Sequence, residues 1–114
     1  MLTEQKATIS KGRDGFKAET YFVNEETKKA VLVSTWKKSY GGLETHYQHG
    51  KANNDRGYSS FSYMLFQDKS GKLCSEPKAR CTEKSITELH TKSLEMFRTE
   101  HAAEITETEL QEVN

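Results

Sequence analysis

Two apolar runs decide the fold of this chain: FKAETYFV at residues 16–23 and AVLVSTW at residues 30–36. Apolar and polar residues alternate in the first run, which is typical of a half-buried β-strand. The second run is rich in β-branched and aromatic residues, as strands are. The polar segment 24–29 between them has turn composition, so the sequence predicts a hairpin. One face of its first strand is predicted to carry Phe16, Ala18, Thr20 and Phe22.

Shorter strand patterns flank this hairpin. They are residues 6–10 before it and residues 44–48, 58–66 and 72–75 after it. The sequence Gly12-Arg13-Asp14-Gly15 predicts a tight turn, because Asp-Gly supplies left-handed backbone conformations. Gly41-Gly42 and residues 52–57 read as loops. Pro77 marks the end of the predicted sheet region, since proline cannot donate to a strand ladder.

A helix is predicted after the sheet. Ser85-Ile86-Thr87-Glu88 matches a capping box, in which the serine and the glutamate satisfy each other's backbone donors. On a helical wheel, a broad apolar arc is formed by Ile86, Leu89, Leu94, Met96 and Phe97. His90 and Ser93 fall inside this arc, where a histidine is more often a packed core residue than a ligand. The pattern predicts an amphipathic helix with one buried face.

These patterns predict an α+β fold: an antiparallel meander sheet of four to six strands with one C-terminal amphipathic helix packed on one face. Residues 1–103 are expected to form a single domain, and residues 104–114 an acidic C-terminal tail that is a frayed helix or disordered. Only 20 of 114 residues are Leu, Ile, Val or Phe. Because so thin a core gains from extra burial between subunits, we expect a homodimer.

Charge is sorted along the chain. Residues 1–81 carry 14 Lys and Arg against 9 Asp and Glu, whereas residues 82–114 carry 3 against 8. The net charge of zero therefore combines a basic, aromatic-rich body with an acidic C-terminal segment. Such an arrangement concerns partners rather than fold.

Basic and aromatic residues mix most closely in the region 36–58. The candidate binding surface consists of Trp36, Lys37, Lys38, Tyr40, Tyr47, His49, Lys51, Arg56 and Tyr58. Long loops in compact domains are usually functional or disordered, so we interpret the segment 37–57 as a contact surface for a protein partner. The alternative is single-stranded nucleic acid, held by base stacking on aromatics in a positive groove. The purely structural interpretation is that these aromatics are core and sheet-face residues.

Catalytic and cofactor motifs are not recognisable, so we predict no enzymatic activity, no cofactor and no metal. His46, His49, Cys74 and Cys81 include both zinc ligand types, but six residues separate the cysteines, which fits poorly with the short spacing of structural zinc sites. No apolar run is long enough to cross a bilayer and the N-terminus lacks a signal region, which predicts a cytoplasmic protein with no membrane contact. Its thiols should then be reduced, and an oxidising compartment would instead allow a Cys74–Cys81 bridge.

The sequence thus predicts a small intracellular non-enzymatic protein that acts through protein–protein interaction. Its size, its high Lys and Glu content and the lack of a catalytic signature are common among accessory or inhibitor proteins of phages and mobile elements. A single-stranded nucleic-acid-binding protein, with a basic aromatic sheet and an acidic tail, is the alternative.

Overall fold

The computed structural model of the 114-residue chain describes residues 2–53, 62–64 and 70–105. Strands dominate the first two thirds, and one long helix follows. The strands are β1 Thr3–Glu4, β2 Thr8–Gly12, β3 Gly15–Val23, β4 Lys29–Lys37, β5 Leu43–Asn53, β6 Ser62–Met64 and β7 Ser70–Glu76. The helix α1 spans Glu83–Glu100, and a short 3-10 helix spans Ala102–Glu104.

The strands form one antiparallel sheet. Strands β2, β3, β4 and β5 are neighbours in chain order. β1 and β2 follow one another along the outer side of β3, and β6 and β7 share the outer side of β5. Within the described residues the sheet is therefore five strand positions wide. The predicted α+β class, the antiparallel sheet and its single C-terminal helix are confirmed.

The hairpin of β3 and β4 is the centre of the sheet, as the sequence predicted. Its register runs from Ala18 opposite Thr35 to Val23 opposite Ala30. The connecting turn is closed by Asn24, whose side-chain oxygen accepts hydrogen bonds from the N–H groups of Glu26 and Thr27 at 3.0 and 3.1 Å. Such an Asx turn explains the polar composition of residues 24–29.

Helix α1 packs on one face of this sheet, which we call the helix face. The apolar residues fall into two clusters, and Phe22 of β3 and Phe97 of α1 join the sheet to the helix in the larger one, with ring centroids 4.6 Å apart. The larger cluster contains Leu2, Phe22, Val31, Val33, Leu94, Phe97 and Ile105. The smaller contains Ala18, Leu43, Ile86 and Leu89. Except for Met96, which is 42% exposed, the predicted apolar arc of the helix is buried.

The helix begins earlier than the sequence predicted. Thr82 is its N-cap, and Ser85 is the third residue of the first turn. The Thr82 hydroxyl accepts from the Ser85 N–H at 3.1 Å, and the Ser85 hydroxyl accepts from the Thr82 N–H at 3.0 Å. The predicted box of Ser85 with Glu88 is therefore wrong. Thr82 offers the same capping hydroxyl three residues earlier, and a helix that begins there is about one turn longer.

The segment 37–57 is also different from the prediction. Residues 43–53 form β5, which pairs with β4 along its whole register and with β7 on its other side. The predicted short strand 44–48 is thus the middle of a central strand, and Ala52 and Asn53 are strand rather than loop. Of the predicted strand 58–66, residues 62–64 form β6 and the others lie outside the described residues.

The two ends of the described chain meet. Leu2 forms a parallel bridge with Ile105, and both side chains are buried in the larger cluster. Arg98 donates from Nε and Nη2 to the Glu4 carboxylate, each at 2.6 Å, and so ties β1 to α1. Ile105, which the sequence placed in the acidic tail, is therefore packed on the domain; residues 106–114 lie outside the described residues. No helix of the described part is long and apolar enough to cross a membrane.

Candidate functional site

The β2–β3 hairpin ends in a tight turn that packs against Cys81. Gly12 pairs with Gly15 across the two turn residues. Gly15 has φ of 120°, and a Cβ on it would lie 2.7 Å from Cys81 Sγ. Cys81 itself bridges the backbone of Phe16: its Sγ accepts from the Phe16 N–H at 3.2 Å, and its thiol faces the Phe16 oxygen at 3.3 Å. The turn is thereby held against the segment that leads into α1.

A cleft of about 400 Å³ lies beside this turn, between the hairpin and the end of β4. It is lined by residues 10–17 together with Trp36 and Lys37. Among the described residues its cations are Lys11, Arg13, Lys17 and Lys37, and its one lining carboxylate is Asp14. We call this feature the basic cleft.

Two of the basic-cleft cations are available to a partner. Among the described residues, Arg13 and Lys37 have no carboxylate within ion-pair distance, and both are exposed. Lys17 pairs with Glu19 at 3.7 Å, and Lys11 lies over the ring of Phe16 at 5.6 Å from its centroid. The cleft therefore presents the unpaired positive charges of Arg13 and Lys37.

Trp36 is held at the cleft by a stack on the face of the sheet opposite α1, which we call the distal face. Its indole is stacked on the His46 ring, with centroids 4.8 Å apart and planes 22° apart. His46 Nε2 lies 2.7 Å from Glu44 Oε2, and Lys72 lies 3.6 Å from the other Glu44 oxygen. The His46 hydrogen bond is the main cause that lowers the pKa of the Glu44 carboxyl, which Lys72 lowers further.

The structure divides the predicted binding surface between both faces of the sheet. Trp36 and Lys37 line the basic cleft. Tyr47 lies on the helix face, where it packs edge-on against Phe97 at 5.9 Å, and His49 lies beside Tyr47. Successive residues of a strand point to opposite faces, so neighbours in sequence are separated in space. The described residues of the binding surface predicted from residues 36–58 therefore do not share one face of the sheet, and their role in binding stays a prediction.

The remaining predicted residues stand apart from the cleft or outside the description. Lys38 and Tyr40 lie in the turn between β4 and β5, and Tyr40 is fully exposed. Lys51 is in β5 opposite Lys29, and its side chain is not described. Arg56 and Tyr58 lie outside the described residues.

Sequence reasoning missed most of the cleft. The sequence places Arg13 in a turn and Phe16 and Lys17 in a strand, and it assigns Lys11 to no element. The β3–β4 ladder ends at the pair of Ala18 and Thr35, and the next residue of each strand, Lys17 and Trp36, lines the cleft. The signal that was present in the sequence is the turn itself, which is basic on both sides.

A second cluster of polar side chains lies buried between the sheet and α1. Thr20 Oγ1 and Thr35 Oγ1 lie 2.8 Å from the two ring nitrogens of His90. Thr35 continues to Thr45 at 2.7 Å, and Thr45 to Ser93 at 2.8 Å. All five residues are buried, so this buried network has no substrate access and serves the packing of the helix on the sheet. The predicted core role of His90 is confirmed.

The alternative zinc set does not assemble. His46 points to the distal face and bonds Glu44, whereas His49 lies on the helix face. Cys74 is a free thiol 3.2 Å from Met96 Sδ, and Cys81 is a free thiol at Phe16. Within the part of the chain that the structure describes, no three His, Cys, Asp or Glu side chains converge as a metal site would require.

Comparisons with protein-family models, with curated proteins and with solved structures find no match. The fold and the site therefore define this chain as a small α+β domain that carries a basic cleft at one end of its sheet. The case for its function rests on the chemistry of that cleft.

Proposed function

We propose that this chain is a non-enzymatic protein-binding module whose basic cleft binds an acidic segment of a partner protein. The observation that carries the proposal is the group of four cations around one carboxylate in a cleft of about 400 Å³. Exposed cations of one sign steer and orient an anionic partner. The turn at Gly15 packs against Cys81, which keeps these cations in one arrangement before binding and so lowers the entropy cost of association.

Single-stranded nucleic acid is the second candidate, because Trp36 lies among these cations. Base stacking needs a free ring face. One face of the Trp36 indole is covered by His46, and the Phe16 ring carries Lys11 over it. Each of these rings already has one partner, which reduces the aromatic surface left for stacking and favours carboxylates over bases as the ligand.

The chain contains one tryptophan, so its emission reports on the cleft. We would titrate the protein with a glutamate-rich peptide and with an oligothymidylate of equal charge, at two salt concentrations. The peptide should change Trp36 emission at micromolar concentrations and the oligothymidylate should bind more weakly. Tighter binding of the oligothymidylate, with a steep loss in salt, would instead establish the second candidate.

Charge-neutral variants locate the contact. Arg13→Gln combined with Lys37→Gln should weaken peptide binding about tenfold, because each exposed ion pair contributes up to about 1 kcal/mol and 1.4 kcal/mol is tenfold. Lys78→Gln combined with Lys84→Gln removes the same charge from exposed positions outside the cleft and should leave binding unchanged. Equal losses in both pairs would show general charge attraction and contradict a role for the cleft.

The homodimer, the lack of catalysis and the cytoplasmic location stay predictions. The apolar arc of α1 is used within one chain, since Ile86, Leu89 and Phe97 are buried against the sheet. A dimer would therefore need another surface, and sedimentation at tens of micromolar is the measurement that tests for it.

A further inference from the structure

Strand β2 forms an edge of the sheet within the described residues. All five of its residues are exposed, and Ile9 is an apolar side chain that is 41% exposed. The outer side of β3 is shared by β1 and β2, and beyond β2 no described strand follows. Such an edge is a template for pairing with another extended chain.

The register of the hairpin shows which backbone groups of this edge are free. Gly12 and Gly15 flank the turn directly, so they form a hydrogen-bonded pair. Bonded and non-bonded pairs alternate along an antiparallel ladder, so Ser10 bonds β3 whereas Ile9 and Lys11 do not. The N–H and C=O groups of Ile9 and Lys11 therefore point outward, and no described residue bonds them.

We propose that the acidic segment binds as an added antiparallel strand along β2, with its acidic end at the basic cleft. This inference rests on the proposed function and names how the same partner is held. Main-chain hydrogen bonds to Ile9 and Lys11 supply affinity, and alternate side chains supply specificity. The edge ends at the turn that carries Arg13, so an acidic strand continues from the edge into the cleft.

The register defines the partner sequence. Ile9 and Lys11 lie on the same face of β2, so a residue opposite Ile9 should be apolar and the residue two positions before it should be acidic. Because the added strand is antiparallel, residues still nearer its N-terminus run past Gly12 towards Arg13 in the turn. The partner segment is therefore an acidic run followed by one residue and then an apolar residue. Lys11 disfavours a strand that places a basic or an apolar residue opposite it, which limits aggregation at this edge.

Two end-capped peptides of equal composition test the inference: Asp-Glu-Asp-Glu-Thr-Val-Thr and the reversed order Thr-Val-Thr-Glu-Asp-Glu-Asp. Amide hydrogen exchange would be measured by NMR with and without each peptide. The first peptide should slow exchange at Ile9 and Lys11 about tenfold or more, while Ser10, which already bonds β3, serves as an internal control. The reversed peptide should bind about tenfold more weakly.

Ile9→Pro removes one outward N–H without removing a bond to β3, which an edge strand tolerates. It should abolish the protection at Lys11 and weaken binding of the first peptide about tenfold, whereas Ile9→Thr, which keeps the N–H, should retain most of the binding.

A change of Trp36 emission without protection at Ile9 and Lys11 would overturn strand addition and leave the proposed function standing. Loss of any Trp36 response would overturn the proposed function itself. Protection of both amides in the peptide-free chain would show that the edge is already occupied, and would also overturn the inference.

Discussion

His90 is held at both ring nitrogens by threonine hydroxyls. Ser93 Oγ is 2.8 Å from the Leu89 carbonyl oxygen, which can only accept. The Ser93 hydroxyl also lies 2.8 Å from Thr45 Oγ1, so it faces two acceptors. Thr45 continues to Thr35, and Thr35 and Thr20 each lie 2.8 Å from one ring nitrogen, so a neutral imidazole donates at one nitrogen and accepts at the other.

This buried imidazole predicts a loss of stability in acid. Desolvation lowers the pKa of His90 to about 4, with a smaller lowering by Arg98 and an opposing effect of Glu4. Between about pH 6.5 and pH 4 the unfolded chain binds a proton that the folded chain does not. The free energy of unfolding should therefore fall on acidification, by roughly 3 kcal/mol at most from this group.

Urea unfolding at pH 7 and pH 4.5 measures this loss. In His90→Gln the share of the pH dependence that belongs to the imidazole should vanish. His49→Gln removes a half-buried histidine of the same sheet face and serves as the matched control. The same pH dependence in His90→Gln as in the wild type would contradict the assignment.

Gly15 joins a backbone requirement to a packing requirement, and the two can be separated. Gly15→Ala should lower the free energy of unfolding by about 2 kcal/mol, because φ is 120° and the added Cβ would lie 2.7 Å from Cys81 Sγ. Gly41→Ala is the matched control: φ is 88° and nothing lies within 4 Å, so the loss should be about 1 kcal/mol. Gly15→Ala should also weaken acidic-peptide binding, since its turn forms a wall of the basic cleft. Equal losses in both variants would show that the Cys81 contact is unimportant.

Helix α1 depends on a cap that lies outside its apolar pattern. Thr82→Ala should lower the free energy of unfolding by about 1 kcal/mol, because the N–H of Ser85 loses its acceptor. Thr91→Ala makes the same change at an exposed position inside the helix and should be neutral or slightly stabilising. Thermal unfolding followed by circular dichroism compares the two. A greater loss in Glu88→Ala than in Thr82→Ala would restore the cap that the sequence predicted.

The helix and the sheet complete one core within a single chain, and two adjacent residues of α1 test this. Phe97 is fully buried against Phe22, whereas Met96 is 42% exposed. Phe97→Asp should unfold the chain, because an unpaired charge in the core costs several kcal/mol. Met96→Asp should keep the helix signal in circular dichroism.

Sedimentation of the same variants tests the predicted homodimer. If subunits associate through the outer side of α1, the wild type should sediment as a dimer and Met96→Asp as a monomer. A folded Phe97→Asp monomer derived from a wild-type dimer would show instead that Phe97 lies between subunits, against its burial in the core.

An element could be predicted from the sequence where its buried side chains are apolar, and it could not where they are polar. The hairpin 16–36 was predicted correctly, since β3 alternates as its buried face requires and β4 is rich in β-branched residues. Only residues 44–48 of strand β5 were predicted, because polar residues occupy both of its faces. Thr45 is buried through hydrogen bonds of the network, and His46 is occupied by Glu44 and Trp36. A strand buried by polar contacts carries no apolar alternation to find.

The sequence by itself determined the class of fold, the central hairpin and the buried arc of the helix, because alternation and helical periodicity are local properties of the chain. Only the tertiary structure decided the basic cleft, the free edge of β2 and the buried network around His90. Each of these joins residues from separate strands, and their contact depends on cross-strand register. The β3–β4 ladder ends at the pair of Ala18 and Thr35 and the next residue of each strand lines the cleft, and no pattern within either strand contains that information.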